Sequence, residues 1–493
     1  MSTTPSSPAT NLPIPLRVNA LTGVATPALS LESIDAHSQD LPGATQRIAN
    51  STHLGTDYSV DDPNDLTQAG WGIIFASDAD PAIKAQLQPL IDLRSRQVQD
   101  PKLFKVFDGP ANGGVLPGQT ADNWAQQRGV SLTAPVDPYQ GGVPFYLLIV
   151  GSPDRIPFEF QALLKMQWAV GRLAFDEIED YGRYAQAVVQ YEDPSYRPFQ
   201  RKNAAVWVTR NYGDIATAML SGAVCGDFLS TTNALGSRPG FNLDAFANEK
   251  ATKAQLAEIL RGNLPGGAPA VFFTGSHGCD YSGSDPATQQ RYQGALVTQE
   301  WVPGTPTGSA NQYSGEDVPT DARLQGVIAF LFACYSGGCP TIDSYYRKPD
   351  GSPISLAPAP MIASLPQALL RNGALAVIGH VDMAFPDAFQ DVNGTPQMQA
   401  VRTPLELLLR GKRAGLAADS LSVLWSSLSA QLSLALGLNA APAGAAQAAS
   451  VGPAQPVAAT SPAIPRLTIA RDDARNYILL GDPAVRLRVA DLQ

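Results

Sequence analysis

The sequence predicts an α/β protein: a parallel-rich sheet with helices on both faces, built in two tandem halves of which the second carries the chemistry. Three observations predict it. Short continuous runs rich in Val, Ile and Phe recur along the chain, as strands buried on both faces do. Segments with apolar residues at helical spacing alternate with them. Two of the runs, Ala270–Thr274 and Val327–Phe332, also lead within a few residues to a reactive side chain with glycine close behind, His277-Gly278 and Cys334-Tyr335-Ser336-Gly337. Open α/β sheets build their sites where strands end in this way.

Composition bounds the reading. The 493 residues suit about three units of ordinary domain size, and 44% hydrophobic against 16% charged residues supplies a large core under a lightly charged surface. A net charge of −10 argues against nucleic-acid binding, which needs clustered Lys and Arg, and suits basic peptide segments. Four cysteines, Cys225, Cys279, Cys334 and Cys339, are too few for a disulfide framework in a chain this long. Met1–Leu16 has neither the basic nor the apolar region of a secretory signal, and Ser420–Leu438, with its serines and glutamine, reads as a buried helix rather than a membrane span. A cytoplasmic protein without a membrane span is expected.

Taken in order, residues 1–65 are rich in Ser, Thr, Pro and Asn and predict a flexible or loosely packed arm. Residues 66–200 predict a first α/β half. Trp71–Ala76, Lys105–Phe107, Pro144–Val150 and Ala169–Leu173 are its strands, Pro81–Arg96 and Asp176–Tyr191 its helices, and Gly109–Gly142 a loop. It contains neither His nor Cys, so it cannot supply a thiol–imidazole pair and is expected to be a support. Residues 201–438 predict the catalytic half: strands at Ala204–Thr209, Ala270–Thr274, Leu324–Phe332 and Ala374–Val381, and helices at Ile215–Ser230, Thr252–Arg261, Leu365–Arg371, Thr403–Arg410 and Ala414–Leu436. Ala295–Val297 predicts a short strand in the polar loop after His277. Residues 439–465 hold no charge and read as an Ala/Pro-rich linker. Residues 466–493 close the chain, with strands expected at Leu467–Ala470 and Tyr477–Leu480.

Cys334 is the candidate nucleophile and His277 the candidate base. A free thiol titrates near pH ~8.5, so attack on an amide at neutral pH needs a neighbouring base or a lowered pKa. Backbone N–H groups at the loop after Cys334, expected to open onto a helix, would favour thiolate. His380 also ends an apolar strand and is the rival base; Gly278 after His277 ranks it second. His277-x-Cys279 with Cys334 and Cys339 offers a zinc reading, but structural zinc sites use tighter Cys-x-x-Cys spacings. Asp280, Asp285, Glu316 and Asp317 show no regular calcium-ligand spacing, so no metal or cofactor is assigned.

A strand ending in His-Gly followed by one ending in Ala-Cys resembles the caspase-like cysteine peptidases: caspases, metacaspases, gingipains, separases and CHAT-domain proteases. Tyr146–Pro157, Val170–Leu173 and Gln190–Glu192 are similar to the non-catalytic half of a gingipain. Tyr477–Leu487, with Gly481-Asp482-Pro483, is similar to the closing signature of gingipain-like and CHAT proteins. The resemblance covers about residues 140–487 and implies the caspase-like sheet with a degenerate first half. It implies a Cys334–His277 dyad acting through an acyl-enzyme, with the N–H groups of Gly278 and Cys334 holding the oxyanion. It implies that Gly379-His380-Val381-Asp382 lines the cleft and pairs with extended substrate. Asp382, or Asp214 after the first strand of this half, then offers a carboxylate for Arg or Lys before the scissile bond. Phe332 stands where metacaspase-type enzymes carry an Asp. The partner expected is a protein or peptide substrate, with a regulatory protein besides, and bacterial members of the group suggest cell-death or defence signalling. A catalytically silent protein-binding module is the alternative in another class, and a transferase or self-processing enzyme a further one.

Overall fold

The computed structural model describes residues 13–30, 33, 56, 59–139, 141–386, 398–440 and 463–493. Its frame is one ten-stranded sheet. In chain order the strands are β1 (Trp71–Phe75), β2 (Phe104–Phe107), β3 (Tyr146–Val150), β4 (Ala169–Leu173), β5 (Asn203–Val208), β6 (Asn242–Ala247), β7 (Val271–Gly275), β8 (Ile328–Phe332), β9 (Ala376–His380) and β10 (Tyr477–Gly481). They lie in the order β2-β1-β3-β4-β10-β9-β8-β7-β5-β6. The first four are mutually parallel, as are β5 to β9. The two sets run in opposite directions. β10 is parallel to β4 and antiparallel to β9, so the sheet reverses between the last two.

The central strands are apolar along their whole length because helices cover both faces. β1, β3, β7 and β8 are buried at every position, and edge strand β6 is not. The main helices are α1 (Pro81–Val98), α2 (Ile178–Glu192), α3 (Ile215–Phe228), α4 (Lys253–Arg261), α5 (Ser364–Arg371), α6 (Gln399–Leu409), α7 (Ala414–Ala440) and α8 (Ala463–Arg475). Several elements depart from expectation, edge strand β6 and the short helices Phe158–Leu164 and Pro286–Tyr292 among them. Leu467–Ala470 lies inside α8, not in a strand, and the loop expected over Gly109–Gly142 contains a short helix, Ala121–Gln126, capped by Thr120.

The seam between the two strand sets is locked by charge. Buried Asp482, just after β10, accepts from Arg94 Nε at 2.7 Å and from the Trp71 indole at 3.0 Å. Arg94 also grips Glu192 through two bonds of 2.7 and 2.8 Å. Burial disfavours the guanidinium charge, but Asp482 and Glu192 outweigh it and hold the pKa of Arg94 far up. Among the described residues no helix is long and apolar enough to cross a membrane. The stretch expected to be a linker falls largely at 441–462, outside the described residues.

Candidate active site

Three neighbouring strands end at one level. Val208 of β5 is in register with Gly275 of β7, and Gly275 with Phe332 of β8. His277 and Cys334 each follow two residues beyond their matched partners, so both leave the same end of the sheet from neighbouring strands. Both are fully buried. Gly278 makes the close approach of the two segments sterically feasible: a Cβ there would lie 1.8 Å from the Cys334 carbonyl oxygen. Tyr335 holds φ at +59°, a left-handed conformation that costs a non-glycine residue roughly 1 kcal/mol, and so turns the chain sharply after the thiol. No helix follows Cys334. The chain makes a tight turn into the short strand Gly338–Cys339, so the expected helix-terminus assistance to thiolate is missing.

His277 is oriented from the first of the three strands. Its Nε2 lies 2.9 Å from Asp214 Oδ2, and the Trp301 ring stands edge-on to it at 5.8 Å. Asp214 caps α3 and also accepts the Thr217 N–H at 2.8 Å and hydroxyl at 2.6 Å. Burial raises the Asp214 carboxyl pKa, but His277 and Thr217 outweigh this and lower it to about 2. The other ring nitrogen, Nδ1, is buried and has no hydrogen-bond partner among the described residues. A histidine held at Nε2 by a carboxylate, with Nδ1 left open, is a base with an orienting group behind it.

Cys334 Sγ accepts the Ala384 N–H at 3.2 Å and lies 3.7 Å from the Ala384 carbonyl oxygen. Burial drives its thiol pKa well up, with only the Ala384 N–H and Arg17 opposing.

The residues expected to face a substrate sit otherwise. Asp214 is engaged by His277 and Thr217, so it backs the imidazole instead of flooring a pocket. Asp382 is buried and accepts from Ser344 Oγ at 2.6 Å and from the Met383 N–H at 2.8 Å; burial raises its pKa. His380 is bonded at both ring nitrogens, Nδ1 to the Asp382 carbonyl at 2.9 Å and Nε2 to the Asp473 carbonyl at 3.1 Å. Gly379 pairs with Ile478 inside the sheet and packs on Gly337, while the Val381 N–H donates to the Asn476 carbonyl. The segment's contact with the thiol comes from Ala384, two residues beyond the stretch expected. Alanine carries no chemical signal that a sequence reader could use.

Cys279 points to Thr307 and Gln312, and burial pushes its thiol up to about 12; Cys339 contacts Gln293 and Pro340. Among the described residues no group of three or more His, Cys, Asp or Glu is arranged to hold a metal.

An acidic cluster that the sequence did not announce surrounds Arg17. Asp343, Asp280 and the Tyr335 hydroxyl surround the guanidinium of Arg17, at 2.7, 3.8 and 3.3 Å. Burial disfavours that charge, and the three groups together raise the Arg17 pKa despite it.

No protein-family model and no curated protein matches the chain. Among solved structures it is similar to one described as "Structure of Protease", with 13% identity and a TM-score of 0.46 over 85% of this chain and 78% of the other. It is also similar to the Saccharomyces cerevisiae separase in its complex with securin, with 12% identity and a TM-score of 0.32, over 69% of this chain and 16% of that one.

Proposed function

We propose that the chain is a caspase-like cysteine endopeptidase in which Cys334 is the nucleophile, His277 the general base and acid, and Asp214 the residue that orients His277. The observation that carries the reading is the His277 ring: bonded to a buried carboxylate through Nε2, open at Nδ1, and two residues past a strand in register with the one that leads to Cys334.

In this reading Nδ1 takes the Cys334 proton as Sγ bonds to the substrate carbonyl carbon. The oxyanion is held by the N–H groups of Gly278 and Cys334. The tetrahedral intermediate collapses, the C–N bond breaks, and the imidazolium gives its proton to the leaving amine. Water, deprotonated by the same nitrogen, then releases the acyl group and restores the thiol. Asp214 keeps the Nε2 proton in place and stabilises the imidazolium. A basic side chain is the substrate feature the cleft accepts, and the carboxylates that support this are Asp343 and Asp280, not Asp214 and Asp382.

The test is cleavage of a peptide library containing basic residues, followed by mass spectrometry of the enzyme for an acyl adduct on Cys334. Cys334→Ala and His277→Ala are expected to abolish cleavage with the fold intact, while Cys225→Ala, Cys279→Ala and Cys339→Ala retain it. Full activity in Cys334→Ala would overturn the assignment.

A further inference from the structure

Residues 13–29, expected to be loose, form a hairpin against Gly278–Asp280 and Ala384. The Leu16 carbonyl accepts the Gly278 N–H at 2.7 Å, and the Leu16 N–H donates to the Ala384 carbonyl at 2.9 Å. Arg17–Asn19 then runs parallel to Gly278–Asp280 and turns back on Val24–Ala25. Leu16 and Val18 are wholly buried, and Arg17 fills the acidic pocket. Further along, the Pro27 carbonyl accepts the Tyr346 hydroxyl at 2.8 Å, and the Gly23 carbonyl accepts the Gly304 N–H at 2.8 Å.

This is how an extended peptide joins a sheet edge: main-chain bonds on both sides and side chains in separate pockets. Resting on the peptidase reading above, we propose that Pro13–Leu29 is a built-in pseudosubstrate. It holds the Leu16–Arg17 peptide bond where a scissile bond would lie, and it must leave before another peptide enters. The carbonyl that a nucleophile attacks has to sit on the oxyanion donors beside Sγ. Leu16 offers its carbonyl to Gly278, and its amide to the same Ala384 that covers Sγ. The position before the bond therefore takes an apolar residue, and the position after it takes Arg in the Asp343–Asp280 pocket. This reverses the side of the bond on which the sequence placed the basic residue. Tethering gives the arm an effective concentration of order ~mM, so a free peptide competes poorly until the arm is released.

The experiment reads iodoacetamide labelling of each cysteine in the full chain by peptide mass mapping. In the unaltered protein Cys334 is expected to label slowly. Arg17→Asp, which faces two carboxylates with a third, and Arg17→Gln, which keeps the size without the charge, are expected to raise the Cys334 rate about tenfold or more, while buried Cys339 stays protected. A synthetic peptide of arm sequence, Pro-Ile-Pro-Leu-Arg-Val-Asn, should restore protection to Arg17→Gln, and the same peptide with Asp for Arg should not. Labelling of Cys339 alongside Cys334 in Arg17→Asp would report unfolding, and Arg17→Gln then decides. A Cys334 rate unchanged in Arg17→Gln, or equal protection by both peptides, overturns the pseudosubstrate. Exposure of Cys334 with no peptide cleaved would instead sink the peptidase reading and leave the arm's role standing.

Discussion

Asp214→Asn isolates the orienting carboxylate at little cost to the fold. Asparagine caps helices as well as aspartate does, so α3 keeps the Thr217 N–H bond and the melting temperature should move by no more than a few degrees. The effect on chemistry has two parts. Lowering the Asp214 pKa from 3.8 to about 2 corresponds to about 2 kcal/mol of favourable interaction, with both side chains shielded from solvent. Part of that interaction belongs to Thr217 and survives in the Asn variant, so loss of the charge costs at most about 30-fold. One oxygen, Oδ2, takes the Thr217 N–H and faces Nε2, so an Asn that keeps the cap still accepts from Nε2 and loses only the charge, while one that flips presents an N–H to Nε2, drives the ring proton to Nδ1 and gives up the cap. The same exchange in Ser-His-Asp triads costs about 10⁴. A fall in kcat/KM of up to about 30-fold with the cap kept, or towards about 10⁴ with it lost, is expected, measured with a fluorogenic peptide from pH 5 to 9 alongside thermal melts. Asp214 also adds a pH signature. Its folded pKa lies below its unfolded value, so its contribution is present above about pH 4 and is lost as pH falls towards 2. The Asn variant should lose stability less steeply across that window. A change in kcat/KM below threefold, with His277→Ala inactive, would reduce Asp214 to a helix cap.

Other substitutions probe the frame. Gly278→Ala drives a methyl into the Cys334 carbonyl and should abolish cleavage and lower the melting temperature together; wild-type turnover would contradict the close approach. Asp482→Ala leaves Arg94 buried with Glu192 alone and should cost about 3–5 kcal/mol, read from urea denaturation. A loss under 1 kcal/mol would show that the seam does not depend on that ion pair. Asp343→Asn should weaken the hold on the arm and on basic peptides alike, seen as faster Cys334 labelling and a raised KM for Arg-containing peptides with kcat nearly unchanged. A fall in kcat alone would place Asp343 in the chemistry instead.

The strands that lead to His277 and Cys334 were legible because their burial on both faces writes continuous Val, Ile and Phe into the sequence. An abrupt end in His-Gly or Ala-Cys marks where such strands leave the sheet. Asp214 was visible as a candidate substrate carboxylate through its position after β5, but its partner lies 63 positions away, and pairing at that distance leaves no local pattern. Arg17 was hidden for a different reason. Arg17–Asn19 takes its strand form from Gly278–Asp280, and a three-residue strand shows no period of its own. Leu467–Ala470 was misread because four residues with mixed apolar character satisfy a strand and a helix turn equally. Only the flanking Ala463–Arg475 context resolves them.

The placement of β10 fixes when the molecule can be finished. β9 and β4 belong to different strand sets, and neither pairs with the other; each pairs with Tyr477–Gly481. While a ribosome is still adding residues before Tyr477, the nascent chain carries two half-sheets with facing open edges. The Asp482 that neutralises Arg94 does not yet exist. Both edges are sticky during that interval, and loop closure across hundreds of residues is slow. Arg17 and its acidic pocket are synthesised well before Tyr477–Gly481. The thiol can be covered before the frame that would make it useful is closed.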